Sequence, residues 1–281
     1  MGQFKKVIED YYNSKPKKVY RDLTPSASML GACPRASWAK LRGVPETTPP
    51  DVHAMQNFEV GNVTEAVVAR AFDQTGNLIS WWTDSQDYGA TFNQKDWKGK
   101  LRDDQWFDKE LNVTGTPDLI AKIEDKTVLV DVKTASTFST SMTVKEVTEG
   151  TFWENKLGYK LQLGCYMYLM KRRFEAGLED IMPDYGKLII IDKNNGAVIA
   201  EPTLFYDEQL EIQVHNAIST MNQLVKSESI PMCDCAVGHK RFYGVAYCNY
   251  GCLDSMKEGK KGRISATRCC DENYIKSNIC K

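Results

Sequence analysis

The sequence predicts an α/β fold with additional helices at its N-terminus. Two observations support this prediction: apolar residues recur at helical spacing in several segments, and β-branched runs with short polar turns lie between those segments. Helices followed by strands, a long helix, further strands and a last helix form the pattern of an α/β domain. With 281 residues, of which 42% are apolar, the chain is long enough for one large domain or two small ones.

Six segments have the apolar spacing or the end signals of helices. In the third of them, the apolar residues from Phe58 to Phe72 recur at helical spacing, and Gly76 marks the end. Prolines separate the first three segments, since proline breaks a helix. The predicted helices are 4–13, 26–42 (opening at Ser26 or Ser28), 58–72, 139–149, 154–176 and 207–226.

The strands are predicted from β-branched runs bounded by turn residues. Short strands and polar loops occupy 78–92 and 97–107. Further along the chain, Lys187–Ile191 and Ala197–Leu204 flank the turn Asn194-Asn195-Gly196, which is a strong hairpin signal.

The most informative hairpin joins Asn112–Ile123 to Thr127–Thr134 through the polar turn Glu124-Asp125-Lys126. Folding the chain about this turn places Asp118 opposite Asp131 and Val132. Because side chains alternate along a strand, Asp131 and Lys133 share one face of the second strand. The other face is apolar and is expected to belong to the core: Val128, Val130 and Val132.

Two carboxylates and a lysine on one hairpin are suited to holding a divalent cation and activating water, which points to phosphodiester hydrolysis. A plain Asp–Lys ion pair on an exposed strand is the competing interpretation, because so short a motif occurs often by chance. A buried strand, however, gains nothing from Asp131 and Lys133 unless the charges are paired or used.

Two further motifs support the catalytic interpretation. Glu65, in the segment Gly61–Glu65, offers a third carboxylate to Mg²⁺, which prefers oxygen ligands; a solvated helix glutamate is the alternative. Gln162 and Tyr166 lie four residues apart and therefore on one helix face, where an amide and a phenol can hold a phosphate or a base edge. A half-buried tyrosine with a polar neighbour is the alternative there.

The nine cysteines are unevenly distributed. Cys33 stands alone near the N-terminus, whereas four cysteines crowd together after the last predicted helix. Without a secretory signal, disulfides are disfavoured and metal binding is favoured; thiolates suit zinc or an iron–sulfur cluster. The crowded group is Cys233, Cys235, Cys248 and Cys252, and the remaining residues are Cys165, Cys269, Cys270 and Cys280.

The net charge of −1 means that any nucleic-acid binding must use local patches. No apolar run reaches the roughly 18 residues that a membrane helix needs, and the first residues have no signal-peptide core. We therefore expect a cytoplasmic protein without membrane contact. Two basic stretches are candidate nucleic-acid contacts: Lys15, Lys17, Lys18 and Arg21 around Tyr20, and the tail Met256–Lys281.

Taken together, the motifs resemble the PD-(D/E)XK nuclease superfamily in its RecB-like branch. The isolated Cys33 and the later cysteines resemble the iron–sulfur members of that branch, which include CRISPR-associated RecB-like exonucleases and similar phage proteins. The resemblance runs from about Ser26 to Cys252. Its ordered motifs are Gly61–Glu65, Gly115–Asp118, Asp131–Lys133 and Gln162–Tyr166.

The resemblance implies a restriction-endonuclease-like core, with a mixed central sheet flanked by helices and a C-terminal cysteine-rich segment that holds a metal cluster. It implies a deoxyribonuclease that depends on Mg²⁺ or Mn²⁺ and acts in a bacterial or phage-infected cell. The usual activity is exonucleolytic, on single-stranded DNA or DNA ends, so DNA is the implied partner.

The resemblance also implies roles for individual residues. Lys133 would orient or deprotonate the attacking water, and Gln162 and Tyr166 would position the DNA strand. The catalytic metal would be held by Glu65, Asp118, Asp131 and the backbone carbonyl of Val132. A [4Fe–4S] cluster would be held by Cys33, Cys248, Cys252 and either Cys233 or Cys235.

The chain departs from the family pattern in two places. Glu65 stands where the branch commonly has histidine. The glutamate still offers a metal ligand, but with oxygen in place of nitrogen, so the metal preference is expected to change. Val245 stands where a C-x₂-C pair with Cys248 would need cysteine, so that pairing is absent. The residues beyond the resemblance are interpreted as free thiols: Cys269, Cys270 and Cys280.

Two other hypotheses remain open at the level of sequence. The chain is alternatively a non-catalytic nucleic-acid-binding or assembly protein that retains the nuclease fold, or a nuclease whose cysteines bind Zn²⁺. Three segments packed as one globular unit are expected: an N-terminal helical segment 1–50, a nuclease core 51–228, and the cysteine-rich segment with its basic tail 229–281.

Overall fold

A computed structural model describes residues 3–14, 23–44, 46, 50–82, 97–102 and 104–229. These residues divide into two compact units. One contains the described residues of 1–23 and 33–60 together with those from 223 onward, and the other contains 24–32 and 61–222. The division expected from the sequence, at 50 and 228, stays a prediction.

The first unit is helical. It contains α1 (Gln3–Ser14) and α2 (Pro34–Leu41), and α3 (Val52–Gln74) begins in it. The buried Trp38 indole donates a hydrogen bond to the backbone carbonyl of Ser227 at 3.0 Å. Arg42 lies over the Trp38 ring and donates to the same carbonyl at 2.9 Å, so α2 is fastened to the chain segment after the last helix.

The helix predicted over 26–42 is wrong in its first half. A short 3₁₀ turn occupies Ala27–Met29, and α2 begins only at Pro34 with Cys33 as its N-cap. Proline favours the first helical position and forces the preceding residue out of the helical region, so Cys33 has ψ near the extended value of 123°. The result is a helix start at the cysteine.

The second unit is built on a mixed sheet with the strand order β2-β1-β5-β6-β7-β8. The pairs β1–β5, β5–β6 and β7–β8 are antiparallel, whereas β1–β2 and β6–β7 are parallel. The short strand β9 pairs with β7, and β3 pairs with β4 in a separate ribbon. The strands are β1 (Leu78–Trp82), β2 (Lys100–Arg102), β3 (Trp106–Asp108), β4 (Val113–Gly115), β5 (Leu119–Ile123), β6 (Lys126–Ala135), β7 (Tyr185–Asp192), β8 (Val198–Ala200) and β9 (Thr203–Leu204).

Helices cover both faces of this sheet. Ala66 and Ala69 of α3 belong to the same apolar core as the valines of β6. On the other face, α6 (Leu157–Glu175) lies so close to β7 that a Cβ atom at Gly186 would be 2.8 Å from the sulfur of Met167. The other helices are α4 (Thr137–Thr148), α5 (Phe152–Asn155) and α7 (Glu208–Lys226). None of the helices within the described ranges is long and apolar enough to cross a membrane.

Two predicted strands are interrupted by proline. The run 112–123 forms β4 and β5 in different sheets, with Thr116-Pro117-Asp118 between them. The run 197–204 forms β8 and β9, and Pro202 separates them. Proline lacks the N–H group that a continuing ladder needs, so each run breaks there. The β7–β8 hairpin itself is confirmed, with Gly196 at a φ of +74° in its turn.

An ion-pair cluster ties the strands β1 and β2 to the end of α6. Arg102 donates to Glu179 at 2.8 and 2.9 Å and to Asp104 at 2.6 and 2.7 Å, and it stacks on the Trp82 ring. Arg173 of α6 donates to the same Glu179 carboxylate. Burial raises the pKa of Glu179. The hydrogen bonds from both arginines lower it by more, so the pKa lies below its ordinary value.

Replacing Glu179 by Gln should lower the free energy of unfolding at pH 7 by about 2 kcal/mol, since a buried charge-assisted contact is lost. A carboxylate with a lowered pKa stabilises the fold fully above its ordinary pKa of about 4.3, and this contribution is lost as the pH falls through the lowered value. The difference between wild type and Glu179→Gln should therefore shrink in acid. Urea unfolding at neutral and acidic pH measures it.

Glu110→Gln is the matched control, because Glu110 pairs with Arg172 while 82% of its side chain is exposed. An exposed ion pair contributes little, so this variant should differ from wild type by less than about 0.5 kcal/mol. Equal losses for Glu179→Gln and Glu110→Gln, or a Glu179→Gln loss independent of pH, would show that the cluster does not stabilise the fold in this way.

Candidate active site

The β5–β6 hairpin brings two carboxylates side by side. Its turn consists of Glu124 and Asp125, because Ile123 pairs with Lys126, and Glu124 has a φ of 55°. The pairing continues to Leu119 opposite Val130, so Asp118 is the next residue on its side and Asp131 the next on the other. The turn predicted from the sequence therefore forms, although Lys126 already belongs to β6.

Asp131 is buried and only partly satisfied. Its side chain is 2% exposed, and its Oδ2 atom lies 2.6 Å from the Nζ atom of Lys133. Its Oδ1 atom is buried and has no hydrogen-bond partner in the part of the chain that the structure describes. The side chain of Lys133 is 22% exposed, so the pair opens to solvent on the lysine side. A buried carboxylate oxygen without a donor is costly unless it has another use.

Backbone contacts on both sides fix Asp118. Its Oδ2 atom accepts a hydrogen bond of 2.6 Å from the Val132 N–H, and its carbonyl accepts one of 2.9 Å from the Trp82 N–H. Strands β1 and β6 thus hold the residue although it lies just before β5. The contribution of Trp82 was not foreseen from the sequence, because a main-chain donor leaves no signal in residue types.

Burial and, after it, neighbouring like charges set the pKa of Asp118. Burial raises the pKa of this carboxyl, and the charges of Glu65 and Asp131 raise it further. Lys133 and the Val132 N–H act in the opposite direction, but the pKa remains well above its ordinary value. Glu65 of α3 is therefore near enough for its charge to act on Asp118.

Lys133 keeps its proton. Burial lowers the pKa of Lys133, but the charges of Asp131 and Asp118 raise it more, and the pKa lies well above its ordinary value. In this environment the side chain is a stable ammonium group that donates hydrogen bonds. Of the two roles that the resemblance implies, orienting water therefore suits the geometry better than deprotonating it.

Gln162 and Tyr166 lie on the same side of the sheet as these charges. The Gln162 Nε2 atom donates a hydrogen bond of 2.8 Å to the Tyr166 hydroxyl, and both side chains are buried. Burial raises the pKa of Tyr166, and the charge of Asp131 adds to the effect. The phenol therefore keeps its hydrogen. Because its oxygen already accepts a hydrogen bond from Gln162, its O–H group is available to donate to another acceptor.

The cysteines named from the sequence are placed only in part. Cys33 is half-buried at the N-cap of α2, whereas Cys165 is fully buried within α6. Burial raises the pKa of the Cys165 thiol, which makes this cysteine unsuited to metal binding. The remaining cysteines and both predicted basic patches lie outside the described residues.

The site fits Mg²⁺ or Mn²⁺ through its chemistry. Within the described ranges, no three side chains of histidine, cysteine, aspartate or glutamate are close enough to hold a metal ion by themselves. Magnesium, however, is usually bound by one or two carboxylates together with water and substrate phosphate. Asp118 and Asp131, with Glu65 nearby, are the residues that would hold the ion, and the partnerless Oδ1 of Asp131 is the atom that a cation would satisfy.

The fold and the site define an α/β protein with a carboxylate–lysine centre of the kind used in metal-assisted hydrolysis. The sequence matches the family model of the PD-(D/E)XK nuclease superfamily over residues 6–250, and the chain belongs to this superfamily, whose members are typically nucleases that use Mg²⁺ or Mn²⁺. No curated protein matches the chain. Among solved structures it is similar to the crystal structure of SSO0001, at 14% identity over 88% of this chain and 90% of that chain, with a TM-score of 0.34.

Neutralising Asp118 and neutralising Asp131 should have opposite effects on the metal-free protein. Because the pKa of Asp118 is raised, its charge destabilises the fold above the ordinary aspartate pKa of about 3.9, and Asp118→Asn removes this cost while keeping an acceptor for Val132. Its melting temperature should rise, by ~2–4 °C for each kcal/mol gained. Asp131→Asn loses the ion pair with Lys133, so its melting temperature should fall.

Thermal unfolding in EDTA and in Mn²⁺ tests this pair of variants. Mn²⁺ should stabilise the wild type, since a ligand that binds only the folded state raises its stability, and should stabilise either variant much less. An Asp118→Asn protein that melts below wild type, or variants that gain as much from Mn²⁺ as the wild type, would contradict the proposed carboxylate pair.

Proposed function

We propose that this chain is a Mg²⁺- or Mn²⁺-dependent deoxyribonuclease of the RecB-like branch. The observation that carries the proposal is the arrangement of Asp118 and Asp131 beside Lys133, with one buried Asp131 oxygen that no described residue satisfies. Superfamily membership supplies the reaction class, phosphodiester hydrolysis. The ordered motifs around this centre support the assignment to the RecB-like branch.

In the proposed reaction, a water oxygen forms a bond to phosphorus, and the bond from phosphorus to one nucleotide breaks. A divalent ion held by the carboxylates would neutralise the phosphate and lower the pKa of bound water. Lys133, as an ammonium group, orients the water and stabilises the negative charge that develops on the phosphate. The attacking water gives up one proton to solvent, and the departing oxygen takes one from solvent.

Gln162 and Tyr166 position the DNA strand in this proposal. Their mutual hydrogen bond fixes the phenol, and the raised pKa keeps its hydrogen available to a phosphate oxygen. Both residues lie on the buried face of α6, whose position is set by contact with Gly115 of β4. The phenol therefore needs no rearrangement to donate when the substrate arrives.

The proposed substrate is DNA that is single-stranded or has a free end, with exonucleolytic cutting as the usual activity of this branch. The motif resemblance supports this finer assignment. A non-catalytic nucleic-acid-binding protein is the competing function, and the complete set of Asp118, Asp131 and Lys133 argues against it. A chain that had lost catalysis would have no need to maintain the costly repulsion between the carboxylates.

We propose further that Cys33 joins Cys248, Cys252 and either Cys233 or Cys235 around a [4Fe–4S] cluster, with Zn²⁺ as the alternative metal. The half-buried position of Cys33 at a helix N-terminus supports a metal-binding role, because such a site favours the thiolate form. The cluster would close a loop of some two hundred residues, which restricts the unfolded chain.

Replacing Lys133 by Ala should reduce DNA cleavage by about 10²–10³-fold, the usual cost of removing one transition-state donor, while the folded state persists. End-labelled single-stranded and double-stranded DNA, each with Mg²⁺ or Mn²⁺, provides the assay, and a circular single-stranded substrate separates cutting at ends from internal cutting. Lys122→Ala is the control, because this exposed lysine lies on the same hairpin. A fully active Lys133→Ala protein would overturn the proposal, and DNA binding without cutting in either metal would favour the non-catalytic alternative.

Iron content tests the cluster. Protein purified without oxygen should be brown and contain about four iron atoms per chain, and Cys33→Ser should lose most of this iron. Cys165→Ala is the matched control, because Cys165 is fully buried in α6 and should leave the iron content unchanged. A colourless protein that contains stoichiometric zinc would contradict the iron–sulfur proposal and support the zinc site.

A further inference from the structure

Strands β1 and β2 pair in parallel, so the chain between them has to cross back over one face of the sheet. The residues at the end of this connection show which face it uses. Trp97 stacks on the Trp81 ring with the ring centroids 4.7 Å apart, and it packs against the apolar core that contains Ala66 and Ala69 of α3. The connection therefore returns to β2 on the face of the sheet that α3 covers.

Helix α3 holds the end of this connection directly. The buried Asp73 side chain accepts hydrogen bonds of 2.7 Å from the Lys98 N–H and 2.8 Å from the Gly99 N–H. The Arg70 guanidinium lies 5.1 Å from the centroid of the Trp97 ring. These contacts fix the chain beside the C-terminal part of α3, immediately before it enters β2.

Exposed valines continue along α3 from this anchored end. Val67 precedes Arg70 by three residues and Val63 precedes it by seven, so the three side chains lie on one side of the helix. Val63 is 42% exposed and Val67 is 53% exposed. Apolar surface is therefore left uncovered on α3 next to the place where the connection ends.

The connection is longer than its crossing requires. The return path runs along β1, which measures about 13 Å from Leu78 to Trp82. The segment 83–96, which lies outside the described residues, would reach about 45 Å if it were extended. Its sequence contains Tyr88 and Phe92, so it supplies aromatic side chains as well as surplus length.

We propose that the segment 83–96 docks on this side of α3 and covers Val63 and Val67. Its aromatic residues, Phe92 and Tyr88, supply the contacts and follow in that order from the anchored end of the connection. Val67 and Val63 follow in the same order along the helix. The inference goes beyond the proposed nuclease function and does not depend on it, because it concerns only how the chain covers its own apolar surface.

Limited proteolysis of the full-length protein tests the contact. Val67→Asp places a charge in it, so trypsin cleavage after Lys95, identified by mass spectrometry, should become about tenfold faster, equivalent to about 1.4 kcal/mol of lost contact. Phe92→Asp should accelerate the same cleavage, and the double variant should be cleaved no faster than either single variant. Ile212→Asp is the matched control, because Ile212 of α7 is also 53% exposed on a helix, and it should leave this cleavage at the wild-type rate.

A milder pair of variants keeps the test decisive if aspartate unfolds the protein. Val67→Ala and Phe92→Ala should each lower the melting temperature by ~2–4 °C, and the double variant should lower it by less than the two shifts together. Wild-type cleavage after Lys95 in Val67→Asp, or additive melting shifts, overturns the inference. A wild-type dimer that Val67→Asp converts to a monomer in sedimentation also overturns it, because a second copy of the chain would then cover the valines.

Discussion

The structure depends on holding two like charges side by side at the open end of one hairpin. Asp118 and Asp131 repel each other, and burial increases the cost, as the raised pKa of Asp118 shows. Three contacts counter the repulsion: the ammonium group of Lys133 on Asp131, the Val132 N–H on Asp118, and the register of β5 against β6. The hairpin tolerates the arrangement because each carboxylate has one strong partner, and the Oδ1 atom of Asp131 is left for chemistry.

The surrounding elements keep this arrangement rigid. Strand β1 binds the backbone of Asp118 through Trp82, and Arg102 stacks on the Trp82 ring while its guanidinium binds Glu179 beyond the end of α6. Helix α6 in turn places Tyr166 against Gly115, just ahead of Asp118 in the chain. The ion-pair cluster beyond the C-terminal end of α6 and the close helix–strand contact at its middle thus act on the same short segment.

Much of this organisation follows from residue patterns. Local periodicity and turn residues are enough to predict three features: the hairpin turn near residue 125, the apolar face of β6, and the long helices α6 and α7. The predicted helix 26–42 and the two predicted continuous strands are wrong at Pro34, Pro117 and Pro202. Proline interrupts each run, although the residues on either side continue the local pattern.

The sequence by itself pointed to the reaction class that is typical of the superfamily, because carboxylates and a lysine in a fixed order on a hairpin are a chemical requirement that residue identity alone expresses. It also determined which face of β6 is buried, since alternation is a local property. Only the tertiary structure decided how these groups meet. The raised pKa of Lys133, the partnerless oxygen of Asp131 and the backbone anchor at Trp82 all depend on distances between segments that no local pattern specifies.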